Sequence, residues 1–338
     1  MENITVMTAL VIIVVIGFIA GKIGYMNEEF DKKLSALIVN ITCPALILSS
    51  TMGETLPDRN MILPLLGISF LTYILLTGVS FTLPRLLTRR KEDEGIVGFA
   101  LMFGNVGFIG YPIVASIFGQ TAIFYAAILN VANTFFVFTI GNLLVANGNG
   151  NVNGNGNGNE DERLRYEDGN EDEKVKVNVS VRNSLKRKFE KKVLYSTPML
   201  SAYLSMVIVA LGIDNIPEAI SKPLTMIGNI TVPGALMIIG STMAQLSGRA
   251  MLGNVTVYAT SLFRLVLIPL AFYWLFTWMG YDPYVVNINT VIIAMPVATY
   301  GTILCLINNR DTTLMTELTF TTTIISMVTI PLLAQAFG

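Results

Sequence analysis

Two apolar stretches of this sequence combine helix-breaking residues with side chains that could bind a polar solute. The stretch Gly98–Pro112 holds four glycines, an asparagine and a proline, and the stretch Ile292–Gly301 holds its own proline, Pro296. Proline removes a main-chain donor and clashes with the preceding turn, and each glycine weakens a helix by about 1 kcal/mol. Both stretches are therefore predicted to unwind. The residues at the breaks that could contact a solute are Asn105, Gly107, Tyr111, Pro112, Pro296, Thr299 and Tyr300.

Unwound main chain at these breaks would be suited to binding an anion. If these apolar stretches cross a membrane, their unwound main chain cannot face lipid, since each unsatisfied polar group costs several kcal/mol. It must then line a cavity or cross the other broken helix. The half-helices that begin after the breaks carry partial positive charge at their N-termini, which favours a group such as a carboxylate. The alternative is a pair of ordinary kinks in packed helices.

Four further polar residues lie in apolar segments. Asn130 and Asn133 are three residues apart and so share one helix face, where they would contact a ligand or form interhelical hydrogen bonds. Arg264 and Glu317 are candidates for charge coupling, facing the protein interior and pairing with each other. Arg264 could instead hold a substrate carboxylate, and Glu317 could extend to the membrane interface.

Several kinds of chemistry are excluded or disfavoured by composition. The chain has no histidine, and its two cysteines, Cys43 and Cys305, stand alone in apolar segments. We therefore expect no metal site, no cofactor and no enzymatic activity. The net charge of −1 points to no nucleic-acid partner, and a phosphate-binding Gly-x-x-x-x-Gly-Lys motif is missing. Among proteins, a second copy of the chain, in a homodimer, is the one partner left open.

The composition is that of a protein whose partner is the lipid bilayer. Of the 338 residues, 53% are hydrophobic and 13% charged, against about 25% charged in soluble domains. The mean hydropathy is +0.62. A spanning helix needs about 20 mostly apolar residues. Ten segments meet this requirement: 5–24, 34–52, 61–84, 95–118, 121–146, 193–213, 222–246, 254–279, 285–307 and 313–337.

The distribution of basic residues predicts the orientation in the cell membrane. If the N-terminus is outside, all but three of the 22 Lys and Arg residues are cytoplasmic, the exceptions being Arg59, Lys222 and the mid-span Arg264. Basic residues mark cytoplasmic loops, so both termini are predicted to be extracytoplasmic. Residues 147–192 begin with an Asn-Gly run and end in a basic stretch, which predicts a cytoplasmic low-complexity linker.

An internal repeat divides the chain at this linker. Asn40-Ile-Thr-Cys-Pro44 in the second segment matches Asn229-Ile-Thr-Val-Pro233 in the seventh, and similar residues follow both. Five segments precede the linker and five follow it, so the second half would enter the membrane upside down. The predicted fold is all-α, with ten transmembrane helices in two inverted repeats, 1–146 and 193–338, and broken helices four and nine. Duplication kept for packing alone is the alternative.

Several short motifs, in this order, resemble the auxin efflux carrier family, the PIN-like transporters. They are Asn40–Pro44, Asn105–Pro112, Gly240–Ala244, Arg264–Pro269, Met295-Pro296 and Ser326–Pro331. The resemblance implies a crossover of helices four and nine, with Asn105 and Pro296 at the crossover against the substrate. It also implies an elevator motion and organic anions as substrates, and its fold is similar to that of sodium–bile-acid symporters.

The expected function is transport of a small organic anion, a carboxylate or auxin-like compound, by alternating access at the crossover of helices four and nine. One alternative is a symporter that couples sodium or protons to a dicarboxylate or bile-acid-like solute. Another is a channel, which is disfavoured because no segment carries a sustained polar stripe. An intramembrane enzyme is disfavoured by the missing histidine.

Overall fold

A computed structural model describes residues 2–52, 57–146, 196–213, 216–245, 254–308 and 310–337. The predicted linker 147–192 lies outside the described residues. The helices are, in chain order, α1 Glu2–Lys22, α2 Glu28–Leu37, α3 Cys43–Ser49, α4 Ile62–Thr82, α5 Pro84–Leu87, α6 Glu94–Met102, α7 Tyr111–Phe118, α8 Ala122–Phe136, α9 Asn142–Ala146, α10 Thr197–Leu211, α11 Glu218–Gly228, α12 Thr231–Gln245, α13 Val255–Leu262, α14 Ile268–Trp278, α15 Pro283–Ile293, α16 Tyr300–Ile307 and α17 Thr313–Phe337.

The described part of the chain is helical, as predicted, and much of it could cross a bilayer. Six continuous helices there are long and apolar enough to do so: Glu28–Ser49, Arg59–Leu87, Ala122–Ala146, Glu218–Gln245, Val255–Trp278 and Thr313–Leu333. Shorter apolar helices lie at the other four predicted segments: Val11–Lys22, Val106–Phe118, Thr197–Leu211 and Pro283–Ile293. The all-α membrane class is thus confirmed, whereas the count of ten spans stays a prediction.

Wide π-helical turns join several of these helices, and three of them precede a proline. In each case the residue before the proline donates its amide to the carbonyl five residues back. A proline clashes with the carbonyl four residues back in a regular helix, and the wider turn moves that carbonyl aside. The turns are Ile38–Thr42 before Pro44, Val106–Gly110 before Pro112 and Phe263–Leu267 before Pro269.

Glycines bring α1 and α12 into direct main-chain contact. A Cβ on Gly240 would lie 2.0 Å from the carbonyl oxygen of Val14, and one on Gly17 would lie 2.2 Å from that of Met237. Small residues are the usual means by which helices associate in lipid, where there is no hydrophobic effect to drive them together. A glycine likewise allows α11 to pack closely on α3, where a Cβ on Gly228 would lie 2.8 Å from the Cα of Leu46.

The first halves of the two interrupted helices, α6 and α15, lie inside the protein. Every residue from Ile96 to Met102 of α6 is buried, and so is every residue from Ile288 to Ile293 of α15. They form the main hydrophobic core together with α8, whose residues 122–130 are all buried. The core therefore surrounds the places where the sequence predicts unwound main chain.

Candidate functional site

The two broken helices meet main chain to main chain at their interruptions. Gly104 forms an isolated antiparallel bridge with Val297. The amide of Asn105 donates to the carbonyl of Pro296 at 2.8 Å, and the amide of Ala298 donates to that of Phe103 at 3.0 Å. Each break thus satisfies polar groups that the other leaves without helical partners, which unwound main chain inside a membrane requires. The predicted unwinding at Asn105 and at Pro296 is present at both places.

Arg264 joins the ends of the two helices that lead into the crossover. The side chain is 1% exposed, and its Nε donates to the carbonyl of Met295 at 3.1 Å. Nη1 donates to the carbonyls of Leu101 at 3.0 Å and Met102 at 3.3 Å. These carbonyls belong to the last turn of α6 and to the residues just after α15. The guanidinium therefore lies where the negative ends of two helix dipoles converge.

Arg264 and Glu317 are not brought together. Ion pairs within the described residues lie on the protein surface, and none includes either residue. Glu317 lies near the start of α17 and is half-buried. The proposed pairing is therefore absent, because the hydrogen-bonding capacity of Arg264 is directed at main-chain carbonyls.

Gly104 is a site residue that the sequence reasoning did not single out. A Cβ there would lie 2.3 Å from Nη2 of Arg264 and 3.1 Å from the Cβ of Met295. Any side chain would displace the guanidinium or separate the two breaks. A glycine directly before the break-point asparagine was the one sequence signal for this role.

Asn105 begins the second half of its broken helix. Its Oδ1 accepts from the amide of Phe108 at 3.3 Å, which caps the π-helical turn leading into α7. On the other strand of the crossover, the amide of Val297 donates to the hydroxyl of Thr322 at 3.0 Å. The crossover is therefore anchored by side chains of its own helix and of α17.

A chain of hydrogen bonds links α7 to α8 beside the crossover. Nδ2 of Asn130 donates to the Tyr111 hydroxyl at 2.9 Å, and Nδ2 of Asn133 donates to Oδ1 of Asn130 at 2.8 Å. All three side chains are buried. Oδ1 of Asn133 has no hydrogen-bond partner among the described residues. If both amides were flipped, the open atom would be Nδ2 of Asn133, so one polar atom stays available in either orientation.

Open space and further side chains lie next to this network. A Cβ on Gly107 would meet no atom within 4 Å. The Cys43 thiol donates to the Gly107 carbonyl at 3.8 Å, so the thiol treated in the sequence as an isolated core residue lies against the break. Pro112 is buried beside Tyr111. Thr299 and Tyr300 are exposed at the start of α16.

The two copies of the repeat motif meet at their threonines. The hydroxyl of Thr231 donates to that of Thr42 at 2.9 Å, and both side chains are buried. The motif prolines are buried at Pro44 and half-buried at Pro233. The motif asparagines Asn40 and Asn229 are exposed, and Nδ2 of Asn40 donates to the Ala36 carbonyl at 2.8 Å.

Comparison with known proteins assigns the family. The model of a family described as membrane transport protein matches residues 3–334, nearly the whole chain. The chain belongs to this membrane transport protein family. It is the auxin efflux carrier, or PIN-like, family, so the resemblance carried by the sequence motifs is confirmed.

Archaeal relatives agree with the assignment to the membrane transport protein family. One, described as an uncharacterized transporter of Methanocaldococcus jannaschii, is 23% identical over 334 residues, covering 97% of this chain and 96% of its own. Another uncharacterized transporter, of Methanothermobacter thermautotrophicus, is 32% identical over 151 residues, covering 41% of this chain and 46% of its own. The chain is accordingly a membrane-embedded transporter by family.

Proposed function

We propose that this transporter carries a small organic anion across the cell membrane by elevator-type alternating access at the crossover. The observation that carries the proposal is the reciprocal main-chain pairing of Asn105 with Pro296 and of Ala298 with Phe103. Interrupted helices at corresponding places of two halves are the usual location of substrate sites in secondary transporters. Here the N-termini of the following half-helices add partial positive charge.

The proposed architecture is ten spans in two inverted repeats. The hydrogen bond between Thr42 and Thr231 supports it, because equivalent residues of two copies meet only near a local two-fold axis. The packing also supports it: α1 lies on α12 in the second half, and α10 lies on α3 in the first. We further propose extracytoplasmic termini, with the segment 147–192 on the cytoplasmic side, as the distribution of basic residues predicts.

The proposed substrate site is the space beside Gly107, between the crossover and the Tyr111–Asn130–Asn133 network. The open polar atom of Asn133 would hydrogen-bond a polar group of the solute, and the half-helix N-termini would bind its carboxylate. Apart from these groups the surroundings are apolar, as in most small-molecule sites. This combination favours a carboxylate attached to a compact organic body.

Counterflow in liposomes tests the proposal. Purified protein is reconstituted with one unlabelled carboxylate inside, and uptake of labelled mono- and dicarboxylates is followed. Saturable accelerated exchange of at least one carboxylate is expected. Asn133→Ala should weaken this exchange, whereas Asn60→Ala, at an exposed position just before α4, should not. Conductance without saturation would favour a channel. No exchange of any carboxylate by folded wild-type protein would contradict the proposal.

A further inference from the structure

We propose that the Arg264 guanidinium is a tethered cation of the crossover, which holds the two breaks together without a bound inorganic cation. The starting observation is a fully buried positive charge with no carboxylate partner among the described residues. A charge buried in this way is retained only where other polar groups replace its hydration shell.

The groups that replace it are all main-chain carbonyl oxygens at helix C-termini. Leu101 and Met102 supply the end of α6, and Met295 supplies the end of the turn after α15. Two helix dipoles therefore direct their negative ends at one point. Unwound carbonyls and half-helix C-termini are the ligands with which secondary transporters coordinate sodium ions. The Arg264 guanidinium is bound by the same kind of carbonyl ligands that would coordinate such a sodium ion.

The residues around the guanidinium are fully buried. Leu101, Met102 and Met295 are each 0% exposed. Nη2 of Arg264 lies in the space that a side chain at position 104 would occupy, which the glycine leaves free. A covalently attached cation cannot dissociate during transport. The fixed charge therefore stabilises the crossover in every state of the cycle, and this site does not couple substrate movement to a sodium gradient.

The test uses full-length protein in two readouts, thermal unfolding and liposome exchange. Arg264→Ala should leave a vacant carbonyl site, so millimolar guanidinium or sodium should raise its Tm and leave that of the wild type unchanged. Arg59→Ala, which removes an exposed arginine, is the matched control and should show no cation effect. These unfolding measurements do not depend on the substrate being known.

The transport readout rests on the proposed function. Wild-type exchange should be equal in sodium and choline media, and that of Arg264→Ala should fall by about tenfold or more, with partial recovery in guanidinium. An absence of wild-type exchange would contradict the proposed function alone, and the unfolding test would still decide this inference.

Three results would overturn the tethered-cation assignment. These are a sodium requirement for wild-type exchange, full activity of Arg264→Ala without added cation, or a folded Arg264→Ala whose Tm responds to no cation. If Arg264→Ala does not fold, Arg264→Lys takes its place, because it keeps a tethered charge while losing the planar fork. That variant should retain sodium-independent exchange, and a sodium requirement in it would equally overturn the inference.

Discussion

The hydroxyl of Thr231 donates a 2.9 Å hydrogen bond to the hydroxyl of Thr42, across 189 residues of sequence. Each threonine holds the same position in one copy of the Asn-Ile-Thr-x-Pro motif. The two copies thus meet through equivalent atoms, and the contact joins the halves of the chain at the wide turn before Pro44 and at the start of α12.

Replacing one of these threonines should destabilise the protein measurably. Thr231→Val leaves the buried Thr42 hydroxyl without its partner on α12, and we expect a loss of about 1 kcal/mol, seen as a lower Tm in detergent. The double variant Thr42→Val/Thr231→Val should lose less than the sum of the single variants, because neither hydroxyl is left unpaired. Thr82→Val, at an exposed position, serves as the control. Additive losses would argue against a direct coupling.

Gly104→Ala should disrupt the crossover. The new methyl group would lie 2.3 Å from Nη2 of Arg264, so the guanidinium must shift away from the carbonyls that it binds. We expect a loss of stability of about 1–3 kcal/mol, typical of overpacking, together with loss of exchange. Gly67→Ala, inside α4 where a Cβ meets nothing within 4 Å, is the matched control and should unfold at or slightly above the Tm of the wild type. Equal Tm values for the two variants would contradict the packing at Gly104.

Asn133→Ala and Asn130→Ala should differ in character. Asn133 has an open polar atom, so its removal should raise the apparent KM for the carboxylate by about five- to tenfold, the value of one hydrogen bond. Each variant breaks the hydrogen bond between the two asparagines and should lower Tm, and Asn130→Ala should lower it further because it also loses the bond to Tyr111. The measurements are concentration-dependent counterflow and thermal unfolding. An unchanged KM in Asn133→Ala would remove this residue from the proposed site.

The loop before α6 should make stability depend on pH. Burial raises the pKa of the Asp93 carboxyl, and the Glu92 and Asp311 carboxylates add to the rise while Arg90 and Arg310 oppose it. The folded protein therefore holds this proton more tightly than the unfolded chain does. The resulting stabilisation is present in acid and lost as the pH rises through the folded pKa. Asp93→Asn should unfold at a higher Tm than the wild type at neutral pH. This difference in Tm should shrink as the pH falls through the raised pKa toward 3.8, the ordinary pKa of an aspartate.

The Asp311 carboxyl should have the opposite pH dependence. Hydrogen bonds from the main chain and hydroxyl of Thr313 lower the pKa of its carboxyl, so its contribution is present at neutral pH and lost as the pH falls through the folded pKa. Asp311→Asn should therefore lower Tm at neutral pH. Thermal unfolding from pH 7 into acid checks both variants, and shifts of the same sign would contradict the assignment.

Much of the fold followed from local sequence pattern. Each predicted apolar segment contains helix in the structure, because runs of apolar residues can satisfy their main chain in lipid only as helices. The helix breaks could also be predicted from local sequence, since glycine and proline weaken the helix in which they occur. Thus the helix interruptions at Asn105 and Pro296 were predicted, whereas the expected ion pair between Arg264 and Glu317 is not formed. The domain boundaries and the segment 147–192 stay predictions.

The sequence by itself determined the membrane class, the helical segments, the two interruptions and the family. Only the tertiary structure decided which groups meet at the interruptions. Arg264 binds the carbonyl of Leu101 across 163 residues and that of Met295 across 31. Main-chain carbonyls are the same in every residue, so no residue type marks them as partners. Their recognition depends on where two helix ends converge in space, and packing alone decides that.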